Sequence, residues 1–183
     1  MTVRPCIALI GFMGCGKSTV GRVLSRATRF EFVDTDAAVE KSCGLSVREI
    51  FRTNGEPYFR EAESRVLADC LEAERRVIAT GGGLWMNPES RRRLLRGAWC
   101  VWLKVPPETV WERVRSNLVE RPLLANAEDP KLKIRELLEA REPVYSLAHA
   151  SVETAGKTPD EVTSILLDQL KEQRPFDLSA LSI

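Results

Sequence analysis

Gly11-Phe-Met-Gly14-Cys15-Gly16-Lys17-Ser18-Thr19 satisfies the pattern G-x-x-x-x-G-K-[ST] at every fixed position. The glycines let the backbone curl so that its N–H groups face phosphate oxygens. Lys17 can reach the β and γ phosphates, and the Ser18 hydroxyl can ligate Mg²⁺. Such a loop needs a strand before it and a helix after it, and both are legible. Cys6-Ile-Ala-Leu-Ile10 is an apolar run, and Val20, Val23 and Leu24 return at helical spacing. Gly14, Cys15, Gly16, Lys17, Ser18 and Thr19 are the candidate nucleotide-binding residues. The bland alternative is a glycine turn joining strand to helix, but chance matches to the whole pattern between such flanks are rare.

Asp34 and Asp36 close a second apolar run, Phe30 to Val33. On an extended backbone, residues two apart point to the same side, so both carboxylates would face the crevice beyond the strand ends. One can serve Mg²⁺ while the other accepts a proton from an attacking hydroxyl. The competing reading makes Asp36 only the N-cap of a helix starting at Ala37. Three further groups belong beside the same crevice: Phe59-Arg60-Glu-Ala-Glu63, the triple glycine Gly81-Gly82-Gly83, and Arg121-Pro-Leu-Leu124. Glycines admit a ligand close to the backbone and leave amide donors free. Taken alone, the triple glycine could be a flexible turn, and Arg60 with Glu63 an ordinary i,i+3 helix pair.

The elements that must carry these groups alternate. After the first strand and helix come the short strand ending at Asp34 and a helical stretch Ala37–Lys41. Ser46 and Glu49 form a capping box opening a helix Val47–Arg52. Asn54-Gly55 stops it, and Pro57 begins a longer helix to about Ala73. A third strand, Arg76–Ala79, leads into the glycines. Then come a helix from Pro88 to about Arg96-Gly97, a strand Ala98–Val105, and a helix from Pro107 to about Arg115. A polar stretch reaches Pro130, followed by a helix from Lys131 to about Arg141, a strand near Ala150–Val152, and a helix Pro159–Leu170. Apolar strand runs alternating with helices imply a parallel sheet covered on both faces, an α/β architecture. The stretch 116–130 bears Arg121 and is read as a mobile lid without structure of its own. Residues 1–171 form one domain, and 172–183 lose periodicity and read as a flexible tail.

Composition narrows the class. The chain has 183 residues, 27 Lys+Arg against 26 Asp+Glu, and one histidine. A domain of this length buries roughly 70% of the surface its unfolded chain exposes. The near-zero net charge excludes a nucleic-acid binder working through a broad basic field. The lone His149 excludes a three-His zinc site and reads as structural. Five widely spaced cysteines without a C-x-x-C pair are neither a disulfide framework nor a zinc ribbon. Free thiols, no secretory signal and no run near the roughly 20 residues that span a bilayer point to the cytoplasm, with no membrane partner. Arg91-Arg-Arg93 reads as a solvated helix face.

The phosphate loop leaves open what is done with the nucleotide. No N-K-x-D guanine signature is present, and the length favours a small-molecule kinase. The ordered set of motifs, together with Val77-Ile-Ala-Thr-Gly-Gly-Gly83 and Arg141-x-x-x-Tyr145, resembles the shikimate kinase family from about Cys6 to Leu170. That resemblance implies a three-layer α/β/α P-loop kinase fold with a five-stranded parallel sheet in the order 2-3-1-4-5. It also implies transfer of the γ-phosphoryl group of ATP to the 3-hydroxyl of shikimate by a monomer. Carried over residue by residue, Ser18 and Asp34 serve Mg²⁺, and Asp36 holds ring hydroxyls and is the candidate base. Arg60 and Arg141 bind the substrate carboxylate beside Gly81, Gly82 and Gly83, with Gly82 offering its amide. Lys17 and Arg121 act on the phosphates. Many relatives place an arginine seven residues before the lid Arg-Pro to stack on adenine. Here that position is Val114, so the role falls to Arg113 or Arg115, with Arg113 preferred and Lys157 on the second wall. The alternatives are another P-loop kinase, such as a gluconate or nucleotide kinase, or a non-catalytic nucleotide-binding regulatory module.

Overall fold

A computed structural model describes residues 6–176. Strands β1 (Cys6–Ile10), β2 (Glu31–Asp34), β3 (Arg76–Ala79), β4 (Trp99–Lys104) and β5 (Ala150–Glu153) form one parallel sheet in the order β2-β3-β1-β4-β5. The central β1 is wholly buried, as its uninterrupted apolar run requires, whereas β2 is an edge strand and only partly covered.

Right-handed crossovers decide which helix covers which face. The chain leaves β1 through α1 (Lys17–Thr28) and crosses over β3 to reach β2. It then steps back in the opposite direction from β2 to β3, from β3 to β4, and from β4 to β5. Helices α2 (Thr35–Cys43), α3 (Val47–Thr53), α4 (Gly55–Glu72), α5 (Pro88–Gly97), α6 (Pro107–Val114), α7 (Pro122–Ala125) and α8 (Pro130–Tyr145) therefore belong to the other side. α9 (Pro159–Gln173) returns to pack on α1. The connections from adjacent β1 and β3 thus depart to opposite faces. Between their carboxyl ends lies the switch point where α/β sheets bind ligands.

Several elements exceed their expected bounds. α8 runs to Tyr145 although Pro143 lies inside it. Proline removes one hydrogen bond and normally breaks a helix. Here tertiary anchors hold the last turn: Trp85 Nε1 donates to Val144 O at 2.8 Å, and the Tyr145 ring stacks on Trp102 at 5.6 Å. The polar stretch is not bare loop, since a 3₁₀ turn spans Arg115–Glu120, α7 follows, and Leu124 is fully buried. α9 continues past Leu170 to Gln173, and Phe176 is buried against Phe30. The expected tail is thus packed as far as Phe176, and residues 177–183 lie outside the described residues.

Arg91 and Arg93 are not simply solvated. Arg91 Nη1 donates to the carbonyls of Trp85 and Met86, and Arg93 Nη1 donates to Ser64 Oγ at 3.0 Å. His149 is structural as expected: its Nδ1 accepts the Cys100 amide at 2.9 Å, and burial lowers its pKa, favouring the neutral ring.

Candidate active site

The phosphate loop is the turn from β1 into α1. Gly11, Gly14 and Gly16 all adopt positive φ (141°, 74° and 101°), the conformation for which the pattern needs glycine. Two of them are crowded as well: a Cβ on Gly11 would lie 2.7 Å from Leu103 O, and one on Gly14 would lie 3.0 Å from Val114 Cγ1. Lys17 folds back over the loop, its Nζ donating to Gly11 O at 2.9 Å and Phe12 O at 3.0 Å. Cys15 is fully buried beneath the loop with its Sγ 3.8 Å from Lys17 Nζ, and its amide donates to Phe12 O. Its side chain fills the space beneath the loop.

β2 delivers the carboxylates, though not by the extended geometry anticipated for them. Asp34 is the N-cap of α2: its Oδ1 accepts the amides of Asp36 (3.1 Å) and Ala37 (3.4 Å). The cap is therefore Asp34, and Asp36 belongs to the first helical turn. Asp34 Oδ2 also accepts a 2.6 Å bond from Ser18 Oγ, which ties α1 to the end of β2. Burial, and next the Asp34 charge, raise the pKa of Asp36, while Lys17 and Arg60 oppose the shift.

The glycine loop after β3 forms the facing wall. The Gly81 amide donates to Thr35 Oγ1 at 2.7 Å, so it is not the free donor expected. Its missing side chain is required, because a Cβ there would collide with Asp36 Oδ1 and lie 3.2 Å from Glu63 Oε1. Gly82 faces open space, and its carbonyl is 3.4 Å from Arg141 Nη1. A Cβ on Gly83 would lie 2.7 Å from Arg60 Nη1.

Helix α4 presents Arg60, held by Glu56 Oε1 through Nε (3.1 Å) and Nη2 (3.0 Å) and by Glu63 Oε2 through Nη1 (2.9 Å). The i,i+3 pair is real, but Glu63 is 3% exposed, so it is no ordinary surface pair. Burial raises the Glu63 pKa, and Arg60 opposes that shift.

Part of this set meets at a cavity of about 530 Å³ over the switch point, whose wall does not include Arg60, Gly81, Gly83 or Arg141. Gly14, Gly16, Lys17, Ser18, Thr19, Asp34, Asp36, Gly82 and Arg121 line it, along with Met13, Thr80 and Leu123. Among the described residues Arg121 Nε is buried without a hydrogen-bond partner, a donor beside the cavity. Val114 packs beneath Gly14, while Arg113 Nη1 donates to Gly14 O at 2.9 Å, so Arg113 is the neighbour that touches the loop. Lys157 is exposed after β5, and the cavity wall does not include it. Sequence reasoning did not single out Thr35 or Thr80, and it placed Glu63 beside the crevice without giving it a role of its own. The i,i+3 spacing from Arg60 was the signal for Glu63, and none was legible for the threonines.

The donor set fits Mg²⁺. Ser18 and Asp34 place a hydroxyl and a carboxylate side by side next to Lys17, and Mg²⁺ commonly takes one or two carboxylates and completes its shell with phosphates and water. Among the described residues no group of three or more His, Cys, Asp or Glu side chains could hold a metal unaided, and no helix is long and apolar enough to cross a membrane.

Comparison with known proteins gives a consistent picture. A family model described as shikimate kinase matches residues 13–171. A curated shikimate kinase of Caldanaerobacter subterraneus subsp. tengcongensis is 44% identical over 156 residues, covering 85% of this chain and 90% of that protein. The solved shikimate kinase from Acinetobacter baumannii in complex with shikimate superimposes with a TM-score of 0.87 at 34% identity, covering 94% of this chain and 96% of that one. A gluconokinase from Sinorhizobium meliloti, at 19% identity and a TM-score of 0.54 over 94% and 99% of the two chains, shares the fold alone.

Proposed function

The chain belongs to the shikimate kinase family and is an ATP-dependent kinase acting on a hydroxyl of shikimate; on that premise we propose how its own residues divide the work. Lys17 exchanges its carbonyl partners for the β and γ phosphates, while the loop amides of Gly14, Gly16, Ser18 and Thr19 cradle the nucleotide. Arg113, bonded to Gly14 O, takes the adenine, and Lys157 is the second wall. Ser18 and Asp34 would hold Mg²⁺, which when bound supplies charge neutralisation across the β and γ phosphates.

Asp36 accepts a hydrogen bond from the 3-hydroxyl and takes up its proton as the γ-phosphoryl group is transferred. The raised pKa of this carboxyl suits the task, because a base closer to neutrality holds the proton better. Arg60 and Arg141 bind the substrate carboxylate, and the Gly82 amide donates to the substrate. Arg121, on the segment 116–130, reaches the transferring phosphoryl group. Closure of that segment as a lid would exclude water that could otherwise take the phosphoryl group. Arg121 Nε, buried with no acceptor among the described residues, supports this reading, because an anion would supply one.

The single observation that carries the assignment is the convergence of Lys17, Asp36, Gly82 and Arg121 on one cavity. The reading further places the protein in the cytoplasm as a monomer of one domain. A panel assay with shikimate, gluconate and nucleoside monophosphates tests it. Phosphoryl transfer to shikimate is the expected result, and activity on a nucleotide with none on shikimate would overturn it.

A further inference from the structure

Thr35 stands between the two aspartates of the site and is fully buried. The β2–β3 ladder ends with Asp34 opposite Ala79. Beyond that pair the chains part: β2 turns into α2, while Thr80 bonds through both its amide and its hydroxyl to Leu9 O of β1. The 2.7 Å bond from the Gly81 amide to Thr35 Oγ1 spans this divergence, joining residues 46 apart in the chain. On one side of it is Asp36, whose carboxylate fills the space where Gly81 lacks a side chain. On the other is Gly82, whose carbonyl faces Arg141.

We propose that Thr35 is a positioning residue of the acceptor site: by accepting the Gly81 amide, its hydroxyl fixes the separation of Asp36 from Gly82 and Arg141. The inference rests on the proposed roles of Asp36 and Gly82. A valine of the same shape would leave the Gly81 amide buried with no acceptor, and a buried donor without a partner is expensive enough to move its surroundings. The gap between α2 and the glycine loop would open to relieve it, and phosphoryl transfer, which depends on placement, would suffer. The phosphate loop is joined to this region through Asp34, by way of Ser18, and not through the Thr35–Gly81 bond, and would be disturbed less.

The test compares Thr35→Val, which loses the acceptor, with Thr35→Ser, which keeps it. Kinetics are measured separately for shikimate and ATP at a temperature where circular dichroism shows each variant folded. The expected result for valine is a fall of ~10–100-fold in kcat/KM for shikimate with KM for ATP changed less than ~2-fold, and for serine near-complete rescue. Equal shikimate kinetics in the two variants would overturn the proposal whatever their Tm, as would a matching rise in KM for ATP in the valine variant. If the valine variant does not fold, hydrogen exchange of the Gly81 amide in the wild type and Thr35→Ser decides: slow exchange in both supports the latch, and fast exchange in either overturns it. Asp36→Asn separates the two levels. If it abolishes turnover while the Thr35 variants are indistinguishable, the latch fails and the site reading stands; if Asp36→Asn turns over normally, the site reading itself fails.

Discussion

The carboxylate of Asp36 occupies the volume in which a side chain on Gly81 would sit. Gly81→Ala therefore inserts a methyl group directly against the candidate base. Overpacking of this kind costs about 1–3 kcal/mol, and displacing the base should lower kcat by ~100-fold while nucleotide affinity holds. Steady-state kinetics with a parallel nucleotide titration check this. An alanine variant with unchanged kcat would show that Asp36 is not the group that matters.

Asp36→Asn should abolish turnover yet leave the unliganded protein at least as stable at neutral pH. Burial, and next Asp34, raise the pKa of Asp36 above the ordinary aspartate value, so the folded state holds this proton more tightly than the unfolded chain. The penalty for keeping the carboxylate ionised is absent below the unfolded pKa, builds as pH rises through the interval between the two values, and is complete above the folded one. The stability advantage of asparagine should follow the same course, vanishing in acid. Denaturant titrations across pH measure it, and an advantage that grows as pH falls would refute the assignment. In the wild type, kcat/KM for shikimate should decline in acid from a pH above the ordinary aspartate range.

Asp34 has two separable duties, capping α2 and facing the metal position. Asparagine can still accept the two capping amides, so Asp34→Asn should keep Tm close to wild type while raising the Mg²⁺ concentration for half-maximal rate ~10-fold or more. Asp34→Ala should in addition lose ~1 kcal/mol of stability from the missing cap. Equal Mg²⁺ dependence in wild type and Asp34→Asn would remove Asp34 from the metal site.

Arg141→Ala should weaken shikimate with little effect on ATP. A charge-assisted hydrogen bond contributes about 1.5–3 kcal/mol, or roughly 10–150-fold in affinity. Lysine should rescue poorly, because a point charge cannot reproduce the planar fork that also faces Gly82 O. An alanine variant that loses ATP affinity instead would move Arg141 to the nucleotide side.

Cys6, Cys15, Cys70 and Cys100 are buried, and burial pushes the Cys70 thiol up to about 11 and Cys100 higher still, whereas Cys43 is only half-buried. A brief alkylation pulse on the native protein should therefore label Cys43 alone, and mass spectrometry would read it. Rapid labelling of Cys15 would contradict its place beneath the phosphate loop.

The sheet order followed from the family resemblance, and the strand and helix sequence from apolar runs and caps. The clearest local signals were those with a backbone reason, such as the three positive-φ glycines of the phosphate loop and the Ser46–Glu49 capping box. Asp34 and Asp36 reached the cavity as anticipated, but through a helix cap instead of an extended strand. Spacing alone does not reveal where β2 stops, and the 2.6 Å bond from Ser18 is a tertiary contact. The same limit explains α8, whose proline predicts an end that Trp85 and Trp102 override from elsewhere in the chain. It also explains Gly81, whose amide is claimed by a threonine 46 positions away. Arg113 and Arg115 flank the same position in the sequence, and only the tertiary bond from Arg113 Nη1 to Gly14 O sets Arg113 against the loop.

The folded-back ammonium of Lys17 makes nucleotide capture an exchange reaction. Two carbonyl bonds, at 2.9 and 3.0 Å, have to be surrendered before the cation can serve a phosphate, so its contribution to affinity is a difference between two sets of partners. A small stray anion offers too few acceptors to outbid the loop's own carbonyls, whereas a polyphosphate engages the lysine, the glycine amides and the Ser18 hydroxyl together. The loop thereby discriminates by multiplicity of contact, with the positive charge at its centre held by its own carbonyls.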